Sequence, residues 1–365
     1  MEIFWAVVVL ILSFLLLVWG GDKFVDASIG VSKKLKIPSV VVGATITSIG
    51  TTLPELLVTV FSGASDSASL ALGNAMGSII FNSCLIGGIL LICLTLKGSN
   101  SKTPSLLLIF SATFLCVTAI NKKLDLWECI ILLILFVTFF VLNLVYEKSK
   151  ESKIKQLQAT KVQAFNSNQE NSFVNYSAPP SNIAEKEFVT APPIDASYIE
   201  ELDPSPVNLA DKSLTYYLLK FLISAAAIGV GAYFLVEKAK FLAGAIGISD
   251  TIIGLTVVGF GTSLPELITT ISAIRKKEAF LGLGNIIGAN IINCTLLTSL
   301  ASILNGSALI FDTQSLLIGI PVCLICTLLL LLPTIIKKTT YKWQGFALIG
   351  VYVVYFCLLL ASSLV

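Results

Sequence analysis

The chain has 365 residues, 55% of them hydrophobic and 13% charged, with a formal net charge of +2 and a mean hydropathy of +0.90. A water-soluble domain cannot hide that much apolar surface, and so small a charge offers no footprint for nucleic acid. The apolar runs approach the roughly 20 residues a helix needs to cross a bilayer and lack the alternation of barrel strands, so the composition predicts an all-α membrane protein.

In chain order, the first run, 3–20, has no basic start and no small-residue cleavage site after it, and is expected to be a retained span rather than a signal peptide. The second, 39–63, carries Gly50 and Pro54 inside it and is one of the two least regular. Runs at 70–96, 104–120 and 126–146 complete a set of five, so residues 1–146 are expected to form a first transmembrane repeat. Residues 147–213 begin basic (Lys148 to Lys161), become rich in Asn, Gln, Ser and Pro, and end acidic at Glu200, Glu201 and Asp203. That composition predicts a disordered, solvated loop. Runs at 214–236, 250–274, 281–304, 315–335 and 344–363 make a second repeat, 214–365, and bring the prediction to ten transmembrane helices.

The basic residues alternate with the spans. Lys23, Lys33, Lys34, Lys36, Lys97, Lys102, the loop lysines, Arg275, Lys276, Lys277, Lys337, Lys338 and Lys342 fall on one side, against Lys122, Lys123, Lys238 and Lys240 on the other. The positive-inside rule then predicts a cytoplasmic central loop and both termini outside. The eight cysteines all fall in or beside apolar runs, and there is no His, so Cys323 and Cys326 are expected to pack rather than bind metal.

An internal repeat organises the chain. The stretch GATITSIGTTLPELLVTV from Gly43 aligns without a gap to GLTVVGFGTSLPELITTI from Gly254, an offset of 211 residues. At that offset Asn74 meets Asn285, Gly77 meets Gly288 and Asn82 meets Asn293. Five spans per copy is an odd number, so the second copy enters from the opposite face and the two are expected to be inverted repeats, the plan of secondary transporters.

Glu55 and Glu266 are the only acids near the middle of any predicted span, one per repeat at equivalent positions. A carboxylate there costs roughly 2.5–3.5 kcal/mol on insertion scales, so it marks an ion path by default. Gly50 and Pro54, and Gly261 and Pro265, predict that each helix breaks beside its glutamate. Read locally, Thr52 and Ser263 could be N-caps whose boxes Glu55 and Glu266 close. Two facing carboxylates need positive charge between them, supplied by Ca²⁺, several Na⁺ or protons. Hydroxyls of Thr51, Thr52, Thr262 and Ser263 would add the hard oxygen ligands that suit Ca²⁺. Asn74, Ser78 and Asn82, with Asn285, Ala289 and Asn293, are expected to line the opposing wall. Gly73 with Gly77 and Gly284 with Gly288 form small-residue pairs that permit close helix approach.

The paired G-T-x-L-P-E and G-N-x-x-G-x-x-x-x-N blocks resemble the α-repeats of the cation/Ca²⁺ exchanger superfamily, and the L-P-E form is most similar to its Na⁺/Ca²⁺ exchanger branch and bacterial relatives. The resemblance covers both transmembrane halves and leaves out the loop. It implies a Ca²⁺ site shared by Glu55 and Glu266 with Thr51 and Thr262. It also implies Na⁺ sites using Ser48, Thr52, Ser78, Ser263 and the backbone near Gly259, with Asn82 and Asn293 lining the same cavity. Ala289 departs where the second repeat often has Ser, and Ile79 where the first has Asn. The implied function is Ca²⁺/Na⁺ antiport by alternating access in the plasma (inner) membrane. The first and sixth spans would slide across the rest, with Ca²⁺, Na⁺ and the lipid bilayer as partners and no cofactor or obligate protein partner. Coupling to H⁺ or K⁺ is the alternative. An intramembrane enzyme lacks its mid-span Asp pair or His motif, and a passive channel has no need of inverted broken helices.

Overall fold

A computed structural model describes residues 2–35, 37, 39–63, 68–96, 102–143, 212–245, 259–306, 308–311 and 313–363. The chain divides into two compact units, one of Met1–Phe140 with Pro204–Val365 and the other Val141–Asp203. The second is almost wholly outside the described residues, as are the expected loop and the first part of the 250–274 run.

The first unit opens with α1 (Glu2–Leu35). The second run is helical in pieces. α2 (Ser39–Val42) leads through a π-helical turn, Gly43–Thr47, to α3 (Ser48–Thr51), and α4 (Leu53–Gly63) resumes after Thr52. α5 (Ala68–Ile80) continues through a second π turn, Phe81–Ile86, into α6 (Gly87–Cys93). α7 (Lys102–Thr118) and α8 (Leu126–Asn143) follow. The later half has α9 (Leu214–Ala245), α10 (Gly259–Thr262), α11 (Leu264–Arg275) and α12 (Ala279–Ile292). A π turn at Asn293–Leu297 joins α12 to α13 (Thr298–Leu304), and another at Ser315–Gly319 precedes α14 (Ile320–Lys337) and α15 (Lys342–Ser363). A two-residue antiparallel pairing of β1 (Lys123–Leu124) with β2 (Leu309–Ile310) ties two connections together.

Among the described residues, eight helices are long and apolar enough to cross a membrane. Their burial sorts them. In their most apolar 18-residue stretches, 72% of the residues in Ala71–Cys93 and 83% in Ala279–Leu304 are buried, against 22% in α1 and 11% in Lys342–Ser362. The α5–α6 and α12–α13 rods are therefore the centre, and the others wrap them. The outer helices expose Phe4, Trp5, Leu12, Leu15, Leu222, Ile223, Phe346 and Val354. Water would not tolerate such faces, whereas lipid does, so the protein is a multi-pass helical membrane protein.

α1 pairs with α9 through small residues. A Cβ at Gly20 would press on Ile228, one at Gly30 on the Tyr217 ring, and one at Gly231 on the Ser13 carbonyl. Leu17, Phe24, Ala27, Phe221, Ile228 and Ala232 fill the seam. α1 also runs well past residue 20, where the apolar run ends. Asp22 and Asp26 lie in the extension, and Lys276 Nζ reaches Asp22 Oδ1 and Asp26 Oδ1 at 2.8 Å each, while Lys220 Nζ reaches Asp26 Oδ2 at 3.0 Å. Ser272 Oγ donates to Asp22 Oδ1 at 3.1 Å. Charges that would end a hydropathy run are thus paired across α1, α9 and the end of α11.

Close approach also fixes α12 against the second run. A Cβ at Gly288 would strike the Ala44 carbonyl and Ser48 Oγ, and one at Gly43 would strike the Leu281 carbonyl. Gly288 thus meets the small-residue expectation, whereas a Cβ at Gly73 or Gly77 meets no described atom within 4 Å.

Candidate cation site

The two breaks have the same shape. Thr52 sits at φ −82°, ψ 6° and Ser263 at φ −89°, ψ 5°, each a single residue off the helical path. The next residue but one is Pro54 or Pro265, which has no N–H for the carbonyl four residues back, that of Gly50 or Gly261. The backbone still bridges each break, with Leu56 N donating to Thr52 O at 3.0 Å and Leu267 N to Ser263 O at 3.1 Å. Each glutamate falls in the first turn after its break.

Glu55 and Glu266 are both fully buried and close enough for their charges to interact. Around them the two halves exchange hydrogen bonds. Thr51 Oγ1 donates to Asn285 Oδ1 at 3.2 Å, and its counterpart Thr262 Oγ1 donates to Asn74 Oδ1, also at 3.2 Å. Each break is therefore clamped to the central helix of the other repeat. Thr51 also faces Glu266. Asn74 Nδ2 reaches the Glu55 carbonyl at 3.4 Å, and Asn285 Nδ2 reaches Thr269 Oγ1 at 3.3 Å.

The capping expectation fails. The Ser263 side chain makes no cap bond. Its hydroxyl lies 3.3 Å from Glu55 Oε1, to which it donates, and 3.1 Å from Ser78 Oγ. The Thr52 hydroxyl donates to the Ser48 carbonyl instead. A partner across the bundle outcompetes the local cap in one half, and a carbonyl of the preceding turn does so in the other. Ser48 Oγ donates to the Ala44 and Thr45 carbonyls, both at 3.0 Å, so like Thr52 it is turned onto its own helical run. Gly259 begins α10.

Asn82 and Asn293 occupy the π turns that follow α5 and α12, and both are fully buried. A π turn inserts a residue, redirects side chains and often marks a functional position. No described residue bonds either amide, Glu55 Oε2 or either carboxylate oxygen of Glu266. Such groups are costly to bury unpaired. They share one chemistry, oxygen lone pairs from carboxylates and amides with threonine hydroxyls beside them, and that set fits a hard cation.

Sequence reasoning placed Asn74 and Asn285 on a wall but not as the acceptors that hold the breaks. The signal was their shared offset with the threonines they bind. The π turns left no trace in the hydrophobic periodicity. Among the described residues there is no cluster of three or more His, Cys, Asp or Glu able to hold a metal, so any cation here depends on neutral oxygens beside two carboxylates.

The long apolar helices with their exposed apolar faces define a multi-pass helical membrane protein. The chain belongs to the sodium/calcium exchanger family, whose model, described as sodium/calcium exchanger protein, matches residues 5–145 and 216–361. It is 27% identical over 376 residues to sodium/calcium exchanger MaX1 of Methanosarcina acetivorans, covering 96% of this chain and 97% of that protein. It is also 27% identical over 303 residues to inner membrane protein YrbG of Escherichia coli, covering 82% and 80%. A solved structure of the sodium-calcium exchanger NCX_Mj, soaked with Na⁺ and Sr²⁺, superposes with a TM-score of 0.73 at 25% identity, covering 96% of this chain and 97% of that one.

Proposed function

We propose that the protein is a secondary-active antiporter that exchanges Ca²⁺ for Na⁺ at the Glu55–Glu266 site. The observation that carries this reading is the pair of fully buried, interacting carboxylates set in matching helix breaks, with three of their four oxygens bonded to no described residue. The names of the full-length relatives agree with it.

Ca²⁺ binds between the carboxylates, with Thr51 and Thr262 adding oxygens. Na⁺ binds at flanking positions that use Ser78, Ser263, Thr52 and Ser48, and Asn82 and Asn293 complete the cavity. Both ions need the same carboxylates, and that competition couples their fluxes. The architecture is ten spans in two inverted repeats, 1–146 and 214–365, joined by a cytoplasmic loop, with both termini outside. The mirrored Thr51–Asn285 and Thr262–Asn74 bonds support the pseudo-symmetry. Alternating access comes from sliding of α1 with α9. Their shared small-residue seam lets them travel as one body, and their outer faces meet lipid.

The test is Ca²⁺ flux into proteoliposomes under imposed gradients. A Na⁺ gradient should drive uphill Ca²⁺ movement without K⁺, and a pH gradient in Na⁺-free medium should not. Flux that follows only the pH gradient, or that requires K⁺, would assign the coupling ion differently.

A further inference from the structure

Thr59 and Thr270 stand at the same 211-residue offset as the two glutamates, and each follows its glutamate by four residues. Each therefore lies one turn further along the same helix face. Both side chains are buried, at 0% and 1% exposure, and neither hydroxyl has a partner among the described residues.

That is not what a helical threonine ordinarily does. Its hydroxyl usually donates to the carbonyl four residues back. In this protein Thr45, Thr113, Thr269, Thr295 and Thr334 all do so. For Thr59 and Thr270 the corresponding carbonyls are those of Glu55 and Glu266, and both are already engaged. The Glu55 carbonyl accepts from Asn74 Nδ2 at 3.4 Å, and the Glu266 carbonyl accepts from Thr269 Oγ1 at 3.1 Å. A carbonyl offers two lone pairs, and the helix backbone uses one. Different donors thus occupy the second lone pair in the two halves and leave the same hydroxyl unbonded.

We infer that Thr59 and Thr270 are transit ligands, each lending its oxygen to a Ca²⁺ or Na⁺ that enters or leaves the carboxylate pair on one side of the membrane. This rests on the exchanger reading and deepens it. With the amino terminus outside, α4 leads outward from its break and α11 leads inward. Thr59 then serves the outer approach and Thr270 the cytoplasmic one. Four residues of helix advance about 6 Å. A partly dehydrated cation can make such a step by gaining one oxygen as it gives up another.

Thr59→Val and Thr270→Val keep the shape and remove the oxygen. Ca²⁺ uptake driven by Na⁺ should be measured in right-side-out and in everted membrane vesicles, alongside equilibrium Ca²⁺ binding and the melting temperature of purified protein. T59V should raise the half-saturating Ca²⁺ concentration about fivefold at the outer face alone, and T270V should do so at the cytoplasmic face alone. Serine at either position should restore the wild-type value, while equilibrium binding stays within about twofold in all variants. Neither valine should lower the melting temperature, because an unbonded buried hydroxyl contributes nothing to the fold. Variants that match wild type at both faces, change both faces alike, or melt earlier would overturn the assignment. A wild-type protein that binds Ca²⁺ but shows no Na⁺-driven flux would instead sink the exchanger reading, and the transit role with it.

Discussion

Around Glu55 a hydrogen-bonded line runs from Ser78 through Ser263 to the carboxylate, with links of 3.1 and 3.3 Å. Around Glu266 the equivalent line would run from Ala289 through Thr52. It does not form, because Ala289 offers only a methyl and the Thr52 hydroxyl turns to the Ser48 carbonyl. The backbone at the two breaks is nearly superposable in φ and ψ, and the clamps to Asn285 and Asn74 are mirror images. Sequence duplication has preserved the geometry that presents each carboxylate, while the side chains at the Ser78/Ala289 and Ser263/Thr52 positions decide how each is held. One carboxylate accepts from a serine hydroxyl at 3.3 Å, whereas the other is faced by Thr51 without a hydrogen bond of ordinary length to a described residue.

The largest effect should come from removing either charge. Glu55→Gln and Glu266→Gln should each abolish Na⁺-driven Ca²⁺ flux in proteoliposomes, with the protein still inserted and monodisperse. Near wild-type flux in either variant would mean that the two carboxylates do not act as a pair.

Exchanging the Ser78/Ala289 difference between the halves tests which side chain matters. Ser78→Ala makes the first half resemble the second and should raise the Na⁺ concentration for half-maximal exchange about fivefold. Ala289→Ser makes the second half resemble the first and should lower it about threefold, the gain being smaller because Thr52 must also leave the Ser48 carbonyl. Ca²⁺ affinity should change less in both. Unchanged Na⁺ dependence in A289S would show that position 289 does not face the Na⁺ path.

The smallest effect concerns the tie between the halves and α1. Lys276, at the end of the helix that carries Glu266, holds Asp22 and Asp26, whereas Lys220 holds Asp26 from α9. If α1 and α9 move together, Lys276 must release its partners in each cycle and Lys220 need not. Lys276→Gln should therefore raise turnover about twofold and speed amide hydrogen exchange in α1, with Lys220→Gln doing neither. Equal effects from both would mean that the network is a static brace.

Much of this arrangement was legible because lipid imposes strict rules. The apolar runs marked the eight long helices, and Gly50-Thr51-Thr52-Leu53-Pro54-Glu55 with its repeat marked both breaks, since a proline four residues after a glycine removes the backbone bond that would carry the helix through. The end of α1 was not legible. Asp22, Lys23 and Asp26 look like the exit from the membrane until Lys220 and Lys276, far away in sequence, are seen to pair with the two acids. The caps failed for a similar reason, because Ser263 found Ser78 185 residues away. Local rules name the partners a residue would choose in isolation, and packing supplies better ones.

The length of α1 and α9 has one more consequence. They hold 34 and 32 residues, the longest helices described, and at 1.5 Å per residue each extends roughly 50 Å against a hydrocarbon layer of about 30 Å. If the pair slides as proposed, the surplus lets it shift along its axis without withdrawing either end into lipid. The apolar stretch of α1, which stops near Trp19, has no such reserve and would change its match to the bilayer in such a shift. Hydrophobic mismatch costs fractions of a kcal/mol per Å. On that reading the membrane's own thickness becomes a term in the switching equilibrium, and lipids of different acyl length should bias the protein toward one face or the other with no change in any ion ligand.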